Sequence, residues 1–239
     1  MSGVHRPRPV VAIDGPAGAG KSTVARRLAQ ALGFVLVDTG AMYRAVALAA
    51  AQAGISWDAS ARLGELARGL VARRAIGFEL DENDGLRVRL DGREVSEAIR
   101  APEIGMGASA VSAHKPVRDA LFDMQRQAGD GGGVVLEGRD IGTVVFPDAE
   151  VKFFLTARPD VRARRRFEEQ LARPSDGRRR PTFEETLADV GMRDDQDTSR
   201  TVAPLRQAPD AILVDNSDTS VDETVARMVA DVRGRSQNQ

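Results

Sequence analysis

Short apolar runs recur along the chain at residues 10–13, 34–37, 134–136, 151–155 and 212–214. Each run is continuous rather than alternating, the pattern of strands covered on both faces, as in a parallel sheet. Between them lie stretches whose apolar residues repeat at helical spacing. In 21–32, for example, Val24, Leu28 and Leu32 fall on one stripe. Further helices are predicted at 41–53, about 116–127, 161–171, 183–193 and 221–232. Thr182 with Glu185, and Ser220 with Glu223, have the spacing of capping boxes, and Pro116 suits a first helical turn. Strands alternating with amphipathic helices predict an α/β fold.

Two segments break this rhythm. Residues 76–95 carry short strand-like pieces at 78–80, 86–90 and 94–95, separated by Glu82-Asn83-Asp84-Gly85 and Asp91-Gly92, which read as hairpin turns. A small antiparallel insertion over about 62–105, outside the main sheet, is the expectation. Residues 173–181, rich in Arg, Pro, Gly and Ser, read as a mobile lobe between two helices. Residues 1–9 read as a disordered lead without an apolar signal segment, and 233–239 as a frayed end.

Composition narrows the classes. A chain of 239 residues, 42% hydrophobic and 29% charged, supports one α/β domain with embellishments or two small domains. A net charge of −1 argues against nucleic acid as the main partner. The absence of cysteine removes disulfides and thiolate metal sites, and with only His5 and His114 a histidine-based metal site is not expected. No stretch reaches the roughly 18 uninterrupted apolar residues of a membrane span. A cytoplasmic protein, with no nucleic-acid or membrane partner, is the expectation.

The first apolar run feeds Gly15-Pro16-Ala17-Gly18-Ala19-Gly20-Lys21-Ser22-Thr23, the spacing of a phosphate-binding P-loop between strand and helix. Inward backbone N–H groups and the following helix N-terminus suit phosphate oxygens. Lys21 would reach the terminal phosphates, and the Ser22 hydroxyl would hold Mg²⁺. Lysine is rare here, with only Lys21, Lys115 and Lys152. The remaining positive charge is arginine, whose planar fork suits phosphate. Thr39 and Arg44 follow the second strand and can face the loop's crevice, although the plainer reading of Thr39 is a helix N-cap. Arg139 and Asp140 follow the third, in Glu137-Gly138-Arg139-Asp140, which could equally be a surface ion pair. Arg193, Asp197 and Arg200 fall at i, i+4 and i+7, either a functional face or an exposed salt-bridged one. Of the densest basic stretch, Arg165 and Arg178-Arg179-Arg180 read as solvated.

These motifs together resemble the bacterial cytidylate kinases of the nucleoside monophosphate kinase superfamily. The resemblance runs over most of 10–230. It is strongest in Ile13-Asp14-Gly15-Pro16, Gly20-Lys21-Ser22-Thr23, the segments 38–44 and 137–147, and Arg193-Asp194-Asp195 with 200–205. It implies a P-loop kinase core with a five-stranded parallel sheet flanked by helices. A small antiparallel insertion in a monophosphate-binding lobe and a helical lid would complete it. The implied boundaries are 10–61, 106–160 and 183–232 for the core, 62–105 for the insertion and 161–182 for the lid. It implies transfer of the γ-phosphoryl of ATP, with Mg²⁺, to CMP or dCMP by a monomer. Arg44, Arg139 and Arg200 would grip the acceptor phosphate. Ser109 and Arg118, supported by Asp140, would read cytosine, and Arg193 and Asp197 would meet the sugar. Arg162 and Arg166 resemble lid arginines facing the ATP phosphates. The alternatives are a P-loop kinase for UMP or a non-nucleotide acceptor, and a nucleotide-dependent RNA-binding switch using the basic stretch 162–180.

Overall fold

The apolar runs become strands. Those at 10–14, 134–138 and 151–156 bury nearly all their residues, whereas those at 35–38 and 212–215 leave Val35 and Leu213 exposed, contrary to the expectation of cover on both faces. The first, β1 (Val10–Asp14), is buried along its whole length. Its alternate residues serve two cores. Val11 and Ile13 join Val24, Leu28, Phe153, Leu155 and Met228 on one side, while Val10 and Ala12 join Leu136, Ile141 and Phe146 on the other. The computed structural model describes residues 6–80, 86–172 and 179–236, with Leu80 and Ser236 described by backbone alone.

These residues form two compact units, one from residues up to 37 and from 131 onward, the other from 38 to 130. In chain order the elements are β1, α1 (Lys21–Leu32), β2 (Val35–Asp38), α2 (Thr39–Gln52), α3 (Ser60–Ala72), β3 (Ile76–Leu80), β4 (Leu86–Leu90), β5 (Arg93–Glu94), α4 (Pro102–Ser112), α5 (Lys115–Gly129), β6 (Val134–Gly138), β7 (Val151–Thr156), α6 (Pro159–Ala172), α7 (Phe183–Ser199), β8 (Ile212–Asp215) and α8 (Val221–Ser236). A 3₁₀ turn at Ala98–Arg100 and a π-turn at Ile141–Val145 complete them.

The first unit carries the five-stranded parallel sheet, in the order β2-β6-β1-β7-β8. β1 pairs in parallel with β6 (Ile13 opposite Glu137) and with β7 (Ile13 opposite Phe153). Successive strands therefore leave β1 in opposite directions across the sheet. That is the arrangement that opens a ligand crevice at the carboxyl ends. Helix α1 packs with α8, and α6 with α7.

The second unit holds the antiparallel sheet β3-β4-β5 with α2 to α5. Here α2 packs on α4, and α3 on α5. Trp57 ties the helices together. Its indole N–H donates to Ala47 O at 3.1 Å, and its carbonyl lies 2.8 Å from His114 Nε2. The Asp91-Gly92 turn has both residues left-handed (φ 48° and 77°), as a two-residue hairpin loop requires. The turn expected at 82–85 lies outside the described residues. The sequence boundaries at 62 and 105 cut the chain differently from these units.

Several local expectations are corrected. Residues 6–9 are anchored rather than disordered. Arg6 is buried against Asp148 and Glu150, and Gly133 N donates to Arg8 O. At the other end α8 continues to Ser236, through residues expected to fray. Thr39 is not the cap of α2. Asp38 is, accepting from Ala41 N at 3.0 Å, while Thr39 lies buried in the first turn. Helices α3 and α4 are additional elements for which no helix was expected. Helix α7 runs six residues beyond 193, to Ser199. Both capping boxes form. Among the described residues no helix is long and apolar enough to cross a membrane.

Candidate functional site

Between β1 and α1 the chain makes a turn that only bare backbone can follow. Gly15 approaches β7 so closely that a Cβ there would stand 2.0 Å from Leu155 O. Gly18 is left-handed at φ 76°, with a Cβ position 3.1 Å from Arg162. Gly20, at φ 83°, caps α1. Lys21 opens that helix with its side chain buried, and its ammonium donates to Pro16 O at 2.8 Å. Burial pushes the Lys21 ammonium down to about 7, Arg139 adds to the effect, and Glu137, Asp197 and Asp14 oppose it. Lys21, Arg139 and Asp197 therefore share one electrostatic neighbourhood in the first unit.

The acids beside them are fixed by geometry. Asp14 is buried and accepts from Ile141 N at 2.8 Å and Gly142 N at 2.7 Å, which anchors the π-turn after Asp140. Burial raises the Asp14 carboxyl to about 6 against those two bonds, with Asp140 adding to the rise. Glu137 and Asp140 are both buried. Asp197 is buried on α7 and receives Arg139 Nε at 2.7 Å, while Arg200 Nη2 lies 3.7 Å from its other oxygen. Burial would raise the Asp197 carboxyl, but Arg139 and Arg200 outweigh it and hold the group below the usual carboxylate range. The exposed salt-bridged face is thus set aside, because Arg193 and Asp197 are both buried.

Helix α7 presents a row of aspartates to arginines. Asp189 meets Arg166 at 3.2 Å and Arg193 at 3.3 Å. Asp194 receives both ends of the Arg162 fork, at 2.9 and 2.6 Å. Arg162 also donates to Ala17 O at 3.0 Å and Ala157 O at 2.8 Å. Its guanidinium therefore meets the loop's own backbone. Arg165 is half-buried rather than solvated and donates to Asn216 Oδ1 at 2.9 Å and Asn216 O at 2.7 Å; burial lowers its pKa. Arg179 and Arg180 are exposed, as expected, and Arg178 lies outside the described residues. The sequence reading missed Asp189, Asp194 and Asn216 as parts of the site. The spacing of Asp189, Asp194 and Asp197 along one helix was the available signal for the first two.

In the second unit Arg44 is half-buried on α2. Ser112 links the two remaining candidates there. Its hydroxyl donates to Ser109 O at 2.9 Å, and its carbonyl accepts from Arg118 Nη1 at 3.3 Å. Arg118 is buried, with its guanidinium 5.6 Å from the Tyr43 ring.

For a divalent cation, the donor set is sparse. Among the described residues no group of three or more His, Cys, Asp or Glu side chains could cage an ion. The exposed Ser22 hydroxyl in the first turn of α1 suits Mg²⁺, which keeps most of its water and arrives with phosphate.

Comparison with known proteins bears on the family of the chain. The family profile described as cytidylate kinase matches residues 11–234. The chain is 51% identical over 235 residues to the cytidylate kinase of Citrifermentans bemidjiense, covering 98% of this chain and 97% of that one. It is 49% identical over 235 residues to that of Geobacter sulfurreducens, with the same coverage. Against that of Neisseria gonorrhoeae it is 46% identical over 220 residues, covering 92% and 95%. A family match over nearly the whole chain, with relatives about half identical along their full length, shows that the chain belongs to the cytidylate kinase family.

Proposed function

We propose that this protein transfers the γ-phosphoryl group of ATP to CMP or dCMP, giving ADP and CDP or dCDP. The observation that carries the reading is the buried Lys21 at the phosphate loop in the electrostatic company of Arg139 and Asp197. One face of that neighbourhood serves a donor phosphate, and the other carries a guanidinium suited to an acceptor phosphate.

Residues 15–23, with Lys21, hold the ATP phosphates through backbone N–H groups and the ammonium. Ser22 would hold Mg²⁺ together with the phosphates, and the ion would supply charge neutralisation there. Arg44, Arg139 and Arg200 hold the acceptor phosphate, Arg193 and Asp197 the sugar, and Ser109, Arg118 and Asp140 the cytosine; Thr39 lines the acceptor side. In the empty protein Asp197 pairs with Arg139, and Asp189 with Arg166. These carboxylates keep the forks ordered until phosphate oxygens replace them. An acceptor-phosphate oxygen attacks the γ-phosphorus, the bond to the β,γ-bridging oxygen breaks, and ADP leaves with that electron pair. The acceptor phosphate is already ionised, so no general base is assigned. Alignment of the two nucleotides can supply about 7–11 kcal/mol of the barrier. Arg139, Arg166 and Lys21 stabilise the charge that develops. The proposed lobes, 62–105 for the acceptor and 161–182 for a lid, would shut water out and suppress ATP hydrolysis.

Steady-state rates with Mg-ATP and each of CMP, dCMP, UMP and AMP test the reading. Preference for CMP or dCMP by tenfold or more in kcat/KM is expected, since a cytosine-shaped donor and acceptor set left unpaired costs about 1–3 kcal/mol per group. Preference for UMP or AMP overturns the base assignment.

A further inference from the structure

The outward face of the phosphate loop is gripped as deliberately as its inward face is bare. Three of its carbonyls receive side-chain donors from three different elements. Lys21 donates to Pro16 O at 2.8 Å, Arg162 of α6 to Ala17 O at 3.0 Å, and Asn216, after β8, to Ala19 O at 3.0 Å. Among the described residues no peptide bond is cis. In a trans peptide the C=O of one residue and the N–H of the next point in opposite directions. Fixing the carbonyls of Ala17 and Ala19 toward Arg162 and Asn216 therefore turns the N–H groups of Gly18 and Gly20 the opposite way.

Both remote grips are themselves held. Arg162 is buried, with its fork on both oxygens of Asp194 and its Nε on Ala157 O. Asn216 is 3% exposed; its N–H donates to Thr156 O at 2.9 Å, and Arg165 donates to its amide oxygen at 2.9 Å. Nothing in this chain of contacts needs a nucleotide to be present. Lys21, by contrast, must leave Pro16 O to reach a phosphate.

We infer that Arg162 and Asn216 are positioning residues for the triphosphate: they hold the carbonyls of Ala17 and Ala19 outward so that the loop's N–H groups meet phosphate already oriented. Asp194 acts one step further back, by fixing Arg162. This rests on ATP as the phosphoryl donor and gives Arg162 a role through the loop rather than on the phosphates. It makes the buried amide that follows β8 a determinant of donor affinity.

Asn216→Ala removes one grip, and Asp194→Asn loosens the other without touching the buried arginine. The KM for ATP is expected to rise roughly three- to tenfold in each, the loss from one unmade bond, with the KM for CMP within twofold of wild type. Inorganic tripolyphosphate, which carries no base or sugar, should weaken as a competitive inhibitor by the same factor. Arg162→Lys, which can reach Ala17 O but cannot fork onto Asp194, should fall between wild type and Arg162→Ala. Thermal melting identifies variants that merely lose stability. An unchanged ATP KM in Asn216→Ala and Asp194→Asn overturns the inference, as does an equal rise in both KM values. Direct binding of Mg-ATP without an acceptor reads the same effect if CMP proves not to be the acceptor, so the two readings fail separately.

Discussion

Lys21 shows how one residue can cost stability and yet be retained. Its ammonium sits buried with a pKa of about 7, well below its ordinary value, because burial and Arg139 outweigh three nearby acids. The unfolded chain would hold that proton up to about 10.5. Between roughly pH 7 and 10.5 the folded, empty protein therefore binds fewer protons here than the unfolded chain, and this residue's contribution to stability improves as pH rises through that window. A bound triphosphate reverses the balance by raising the pKa again. Mg-ATP binding should take up part of a proton near pH 7.5, and affinity should fall as pH rises from 7 to 9, by at most about tenfold per unit. Calorimetric titration in two buffers of different ionisation enthalpy measures the uptake; Lys21→Met should abolish it. The sequence made Lys21 visible, because the residue types of a phosphate loop are local. It could not show Arg162 turned onto Ala17 O, since that contact joins residues 145 positions apart.

At the scale of elements, legibility followed how far a segment's stability comes from within itself. Helix α1 and the five core strands carry their own apolar pattern and stood where the sequence put them. Helix α7 continues past 193 through its acidic run. Asp189, Asp194 and Asp197 pair there with arginines from α6, from the turn after β6 and from α7 itself. The π-turn at Ile141–Val145 depends on Asp14, a strand residue 127 positions earlier. Helix α4 went unread because Gly105 and Gly107 lower its propensity. Gly107 has a packing reason, for a Cβ there would stand 2.5 Å from the Trp57 ring. Gly107→Ala should therefore destabilise the protein by about 1–3 kcal/mol despite alanine's better propensity. Urea unfolding checks this, and in a Trp57→Leu background the same Gly107→Ala change should cost less, because the ring it clashes with is gone.

At the scale of the whole molecule, the phosphate loop and the acceptor residues differ in how they are distributed. Residues 15–23, Arg139, Arg162, Arg166, Arg193, Asp197 and Arg200 all belong to the unit that carries the parallel sheet. Arg44, Ser109 and Arg118 belong to the unit of residues 38–130. Sequence reading found members of both sets but drew the boundaries of the insertion at 62 and 105, around the hairpin strands. The compact unit also takes in α2, α4 and α5, because Trp57 and the α2–α4 and α3–α5 contacts bind them together, and such packing leaves no mark at a boundary. The distribution gives the two nucleotides different footprints. A ligand slows hydrogen exchange where its binding stabilises structure, by up to about 100-fold at a concentration 100 times its Kd. A non-hydrolysable ATP analogue with Mg²⁺ should therefore protect residues 14–24 and the first turns of α6, and leave 102–118 near its empty-state rate. CMP alone should protect segments in both units, around Arg44, Ser109 and Arg118 in one and around Arg139 and 193–200 in the other. If CMP protects only the sheet unit, Ser109 and Arg118 do not read its base. Arg118→Met, which keeps the apolar stem and removes the fork, should erase the 102–118 footprint of CMP while leaving that of the ATP analogue unchanged.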